Sequence, residues 1–110
     1  MPTNYKVLGQ SNPSATTATT LYTVPSATEA VVSTIVVANL TASAATFRIA
    51  IRPNGATLAN SQYIAYNITV GASDSTALTL GITLDAADVI TVYASTADLT
   101  FTAFGSEITA

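Results

Sequence analysis

The chain has 110 residues, of which 49% are hydrophobic and only 8% are charged, against about 25% charged in an average protein. Three cations and a net charge of −3 exclude the basic surface that nucleic acid or a membrane-surface helix requires, so we expect neither nucleic acid nor a membrane as a partner. The length predicts one domain, residues 1–110, and the absence of histidine and cysteine removes the commonest general base, nucleophile and transition-metal ligands, so we expect no enzyme and no cofactor.

Apolar and polar residues alternate along much of the chain, which is the period-two pattern of half-buried β-strands. The clearest example is residues 45–52, where Phe47, Ile49 and Ile51 alternate with polar or small residues. Turn residues arrive about every 8–12 positions, a spacing typical of sandwiches and barrels. In chain order, strands are predicted at residues 4–8, 19–24, 30–39, 45–52, 62–67, 76–80, around 83, 88–95 and 99–104.

These elements predict an all-β fold, an antiparallel β-sandwich of about eight strands. Both jelly-roll and immunoglobulin-like connectivity fit this number of strands. Residues 30–39 are apolar on both faces, which indicates a strand at the centre of its sheet. The Ser- and Thr-rich residues 14–20 are either a loop that leads into a strand or, within residues 1–20, an N-terminal arm that contacts a lattice.

Asp85 and Asp88, in the sequence LDAAD, are the only close pair of carboxylates that suggests a site. Two carboxylates in a loop could share a Ca²⁺ ion, which prefers oxygen ligands, or could act as the acid and base of a glycosidase. The alternative is structural, because Asp accepts hydrogen bonds from backbone amides in turns. We expect turn capping, with Ca²⁺ binding as the weaker alternative and no catalytic residues.

Four other residues are predicted at an interface with neighbouring molecules. Arg48 and Arg52 share one face of a strand, where they would either pair with carboxylates within the chain or on a neighbouring subunit, or protect the edge of a sheet. Tyr63 and Tyr66 fall on opposite faces of an ideal strand, so we expect one in the core and the other as an interface anchor, or as a platform for a sugar ring.

Five segments together resemble a known family. They are residues 3–10 (TNYKVLGQ), 20–25 (TLYTVP), 52–59 (RPNGATLA), 84–95 (LDAADVITVYAS) and 101–108 (FTAFGSEI). In this order and spacing they resemble small virion structural proteins of tailed bacteriophages, including phages of cyanobacteria. The resemblance covers nearly the whole chain, carries no catalytic motif, and implies an all-β fold and a location in the virion.

Low charge fits a protein that is bound in many copies, because Thr, Ala and Val surfaces lose their water at little cost and do not repel adjacent copies. We therefore expect a capsid decoration, or cement, protein on the capsid surface. It would bind the major capsid protein or other virion proteins as a homo-oligomer, with a trimer as the expected state. The alternative is a tail, baseplate or fibre-associated protein, or a small receptor- or glycan-binding module.

Overall fold

The computed structural model describes residues 2–109, and within them the regular secondary structure is almost entirely β-strand, as the sequence predicts. Two three-residue 3-10 turns, Pro53–Gly55 and Asn60–Gln62, are the helical elements of this part of the chain. No helix there is long and apolar enough to span a membrane. The nine strands are β1 (Thr3–Ser11), β2 (Thr19–Thr23), β3 (Thr28–Asn39), β4 (Ala45–Arg52), β5 (Tyr63–Val70), β6 (Ser75–Leu78), β7 (Ile82–Leu84), β8 (Val89–Ala94) and β9 (Leu99–Thr109).

The strands form two antiparallel sheets. Sheet A has the order β1-β9-β3-β6, with β7 also paired to β3, and sheet B has the order β2-β8-β4-β5. The strands β6 and β7 pair with successive parts of β3, around residues 35–38 and 30–32, so they act as one interrupted strand. As predicted, the apolar strand β3 lies inside its sheet, with β9 on one side and β6 and β7 on the other.

The connections distinguish between the two predicted topologies. Apart from the β4–β5 hairpin and the break between β6 and β7, every connection carries the chain from one sheet to the other. In an immunoglobulin fold the first two strands lie side by side in one sheet, whereas here β1 and β2 lie in different sheets. The order is that of an eight-stranded, double-sheet jelly roll, with its sixth strand interrupted.

Two glycines explain where the observed strands exceed the predicted ones. Gly9 lies within β1 rather than in a turn, because β1 passes so close to β2 that a methyl group at this position would overlap the carbonyl oxygen of Leu21. Gly105 likewise lies within β9, where a methyl group would overlap the carbonyl oxygen of Val31. Both glycines allow close backbone approach, so β1 continues to Ser11 and β9 continues beyond the predicted end at residue 104.

The core fills the space between the two sheets. Phe47 of sheet B and Phe101 of sheet A are fully buried and meet edge to face, with ring centroids 6.0 Å apart and planes at 77°. Burying a side chain of this size stabilises the fold by about 1.5–3 kcal/mol. Other fully buried side chains around this pair are Ile35, Ile49, Ile90, Leu99, Val32, Val37 and Val92.

The segment between β1 and β2 is a loop attached to the sandwich rather than a separate arm. The side-chain amide of Asn12 donates hydrogen bonds to the carbonyl oxygens of Ala97 and Leu99, at 2.9 and 2.8 Å. The backbone amide of Thr16 donates to the carbonyl oxygen of Ala94 at 2.8 Å. The loop therefore crosses the turn between β8 and β9 before it enters β2.

The edges of both sheets are interrupted. β1 has a bulge between Val7 and Gly9, β2 is short and has a bulge near Leu21, and β5 has two register shifts against β4. The opposite edge of sheet A is broken between β6 and β7. Bulges, breaks and short edge strands oppose pairing with the strands of another chain.

Candidate functional site

A group of aromatic and cationic side chains lies on the outer face of sheet B. We call Arg48, Tyr63, Tyr66 and Tyr93 the arginine–tyrosine cluster. The guanidinium carbon of Arg48 lies 4.2 Å from the ring centroid of Tyr66 and 4.3 Å from that of Tyr93. Both distances are within the roughly 6 Å range of a cation–π interaction. The rings of Tyr63 and Tyr66 meet edge to face, with centroids 5.0 Å apart and planes at 82°.

Strand pairing places these side chains together. Arg48 of β4 pairs directly with Tyr93 of β8, so their side chains leave the sheet on the same face. The neighbours of Arg48 along β4, Phe47 and Ile49, are fully buried in the core. The alternation of β4 therefore directs Arg48 outward, as the sequence predicts.

The prediction that Tyr63 and Tyr66 lie on opposite faces of the strand is wrong. Between Tyr63 and Ala65, β5 has one residue more than the facing segment of β4. This extra residue, Ile64, shifts the alternation by one position. Tyr63 is therefore half-buried and Tyr66 is 54% exposed in one cluster, and neither is a core residue.

The guanidinium of Arg48 is held in place by one hydrogen bond, and its other donors have no partner within residues 2–109. Its Nε donates a hydrogen bond to Oδ1 of Asn67 at 2.8 Å. Within residues 2–109, Nη1 and Nη2 donate no hydrogen bond, and no buried side-chain nitrogen or oxygen lacks a partner there. Neither terminal amino group is therefore buried, and the guanidinium carbon lies close to two tyrosine rings.

Arg52 holds a turn instead. Its Nε donates to the carbonyl oxygen of Ala56 at 2.7 Å, and its Nη2 donates to that of Gly55 at 3.0 Å. These bonds close the 3-10 turn that follows β4. Neither Arg52 nor Arg48 forms an ion pair with a carboxylate within residues 2–109, whereas pairing with a neighbouring subunit stays a prediction. Edge protection is wrong for both, because β4 lies inside sheet B.

Asp85 and Asp88 are both engaged by backbone amides. Oδ1 of Asp88 accepts a hydrogen bond from the amide of Asn54 at 2.8 Å, and its Oδ2 accepts one from the amide of Asp85, also at 2.8 Å. Oδ1 of Asp85 accepts from the amide of Ala86 at 2.8 Å. Residues 2–109 contain no group of three or more potential metal-binding side chains. The geometry fits turn capping, and the Ca²⁺ alternative stays a prediction.

Sequence reasoning missed a polar cluster between the two sheets. Glu107 of β9 is only 8% exposed. Its Oε2 accepts a hydrogen bond from the hydroxyl of Tyr22 at 2.5 Å, and its Oε1 lies 2.9 Å from Nζ of Lys6. The cluster therefore connects β9 to β2 in the opposite sheet and to β1 alongside it. Glu107 has the same position in the alternation of β9 as the buried Leu99 and Phe101. A predicted strand that continued to residue 107 would therefore have placed the Glu107 side chain between the two sheets.

The hydrogen bonds from Tyr22 and Lys6 hold the pKa of Glu107 below its usual value, although desolvation acts in the opposite direction. Burial, together with the hydrogen bond to Glu107 and its charge, raises the pKa of Tyr22. Both shifts favour a charged carboxylate beside a neutral phenol. This arrangement connects three strands, because Glu107 of β9 binds Tyr22 of β2 and Lys6 of β1.

The outer face of sheet A carries a second exposed group, which we call the apolar patch: Tyr5, Val7 and Phe104. Their side chains are 86%, 46% and 39% exposed. Val7 and Phe104 pair directly across β1 and β9. A groove of about 560 Å³ lies beside Tyr5 and Phe104 and is also lined by Val31 and Ser33. The patch offers contact area and no reactive group.

Comparison with protein-family models and with curated proteins gave no match for this chain.

Proposed function

We propose that this protein is a non-enzymatic structural component of a phage virion, and more specifically a decoration protein on the outside of the capsid. The observation that carries the proposal is the surface of the sandwich, which combines very few charges with apolar side chains on its outer faces. Such a surface loses its water at little cost when it is covered by a neighbour. The resemblance to small virion proteins supports a structural role in the virion.

The proposed mechanism is mass action. A protein that binds the assembled lattice and not the free subunits stabilises the lattice by its own binding free energy. Each copy would lie across neighbouring subunits of the major capsid protein, as part of a homo-oligomer that we propose to be a trimer. The interrupted sheet edges support contacts through faces and loops, which do not lead to open-ended strand pairing between copies.

The jelly roll supports this proposal by analogy, because viral capsid domains are among the proteins that use it. Lectins and enzymes use the same fold, so the argument depends on the surface rather than on the topology. The chain has no histidine and no cysteine, and both side-chain oxygens of Asp88 accept backbone hydrogen bonds. These features support a binding role over a catalytic one.

Counting copies in purified virions tests the proposal. A decoration protein that covers a capsid lattice is expected in hundreds of copies per particle, measured by quantitative mass spectrometry against the major capsid protein. A dozen or fewer copies would contradict decoration and support the tail, baseplate or fibre alternative. Absence from the particle would contradict both.

A further inference from the structure

We infer that the arginine–tyrosine cluster is a binding site for an acidic sugar, in which Arg48 receives the carboxylate. This inference goes beyond the proposed lattice role and does not depend on whether the protein lies on the head or on the tail. The three cations of the chain differ in a way that points to Arg48. Lys6 pairs with Glu107, and Arg52 donates hydrogen bonds to two carbonyl oxygens, whereas the terminal amino groups of Arg48 donate no hydrogen bond within residues 2–109 and are not buried.

The guanidinium of Arg48 is fixed before any ligand arrives. Tyr66 and Tyr93 lie against it at 4.2 and 4.3 Å, and Asn67 accepts the hydrogen bond from Nε at 2.8 Å. These contacts leave the edge that carries Nη1 and Nη2 as the direction of approach. A planar carboxylate fits that edge, because two parallel N–H groups donate to its two oxygens. Preorganisation reduces the entropy that binding costs.

The surroundings of Arg48 fit a sugar better than a simple anion. Tyr66 is 54% exposed and lies edge to face with Tyr63, so the site presents aromatic carbon beside phenol groups. Within residues 2–109, the hydroxyls of Tyr63, Tyr66 and Tyr93 make no hydrogen bond, and none of the three residues is buried. The side-chain nitrogen of Asn67 adds a donor. A sugar acid matches this mixture, since it combines C–H groups, several hydroxyls and one carboxylate.

The test is a titration of the isotope-labelled protein with sodium glucuronate, followed by NMR at constant ionic strength. Glucose and sodium acetate serve as separate probes, because glucose has the ring without the carboxylate and acetate has the carboxylate without the ring. We expect glucuronate to shift the signals of the Arg48 side chain, the Tyr66 ring and the Asn67 side-chain amide. We expect it to bind about tenfold or more tightly than glucose, because a hydrogen bond to a charged group accounts for about that factor. We expect it to bind more tightly than acetate as well, because acetate lacks the ring hydroxyls that the tyrosine hydroxyls and Asn67 would bind.

Two conservative variants complete the test. Arg48→Lys keeps the positive charge but loses the two parallel donors, so we expect glucuronate binding to fall about 10- to 100-fold. Arg52→Lys is the matched control on the same strand, and we expect it to bind glucuronate like the wild type. Backbone spectra of both variants check that the fold is retained.

Three results would overturn the inference. Equal shifts with acetate and glucuronate would mean that any carboxylate binds and that the sugar ring contributes nothing. Unchanged glucuronate binding by Arg48→Lys would show that the two parallel N–H donors of Arg48 do not hold the carboxylate. A response to an acidic peptide, with none to glucuronate, would assign the cluster to a protein partner instead.

Discussion

At the scale of single residues, Glu107 joins strands of both sheets, although it was not among the predicted site residues. Its two oxygens bind Tyr22 and Lys6, which belong to different sheets. A buried carboxylate is tolerated only when its oxygens are satisfied, and here each has a partner. The stability of the sandwich should therefore depend on this carboxylate and on its charge.

We predict that Glu107→Gln lowers the free energy of unfolding at neutral pH by about 1–3 kcal/mol, because glutamine keeps the shape but loses two charge-assisted hydrogen bonds. The variant should also change the pH dependence. The folded-state pKa of Glu107 lies below the unfolded-state value, so its contribution is complete above that value and is lost as the pH falls through the folded-state pKa.

Urea denaturation at a series of pH values from neutral to acid measures this effect. The extra stability of the wild-type protein over Glu107→Gln should begin to fall near pH 4.5, the usual pKa of the group, and should decrease further as the pH is lowered. Glu29→Gln is the matched control, because Glu29 is exposed on β3 and should have little effect at any pH. If the free energies of unfolding of the wild type and Glu107→Gln differed by the same amount at every pH, the account would be contradicted.

Gly9 supports a second prediction at this scale. A methyl group there would overlap the carbonyl oxygen of Leu21, so Gly9→Ala must move β1 away from β2. We predict a loss of about 1–3 kcal/mol, the usual cost of overpacking. Gly71→Ala is the control, since the nearest atoms to the added methyl group, on Asp74, are 3.8 Å away. Equal melting temperatures for the two variants would show that β1 and β2 are not in close contact.

At the scale of elements, Asp88 connects two turns that are distant in sequence. Its two oxygens accept the amides of Asn54, in the turn after β4, and Asp85, in the turn before β8. We predict that Asp88→Ala costs about 1–2 kcal/mol and speeds hydrogen exchange at both amides. Asp85→Ala should cost less, because its Oδ1 accepts only from the adjacent Ala86. The reverse order of stability would contradict the capping role.

The strands also show which structural features the sequence pattern predicts and which it does not. Residues 45–52 were predictable at both ends, since their alternation is unbroken and Pro53 follows directly. The outward direction of Arg48 followed from the same alternation. The position of Tyr63 did not, because the bulge at Ile64 depends on how β5 pairs with β4 and not on the composition of β5.

Long-range contacts were the least predictable part of the site. Arg48 and Tyr66 are separated by 18 positions in the numbering, and Arg48 and Tyr93 by 45, and only the order of strands in sheet B brings all three together. Gly9 resembled a turn residue because sequence alone does not show that β2 passes close to it. The Glu107 cluster was missed for a similar reason, since the predicted strand ended before it.

At the scale of the whole molecule, the fold separates structural polar groups from the exposed surfaces that we propose for binding. Glu107 and Asp88 hold strands and turns together. The apolar patch and the arginine–tyrosine cluster lie on the outer faces of opposite sheets, so one face could contact a lattice while the other remains available to a ligand. This arrangement supports the proposal of a passive binding protein with two usable faces.

A reconstruction of the virion at a resolution that separates the two sheets tests the central claim most directly. The account predicts this sandwich in many copies on the outside of the head, with an outer sheet face or the loops against capsid subunits and with its sheet edges unpaired. Density for the sandwich only at the tail tip, or sheet edges that continue into a neighbouring protein, would contradict it.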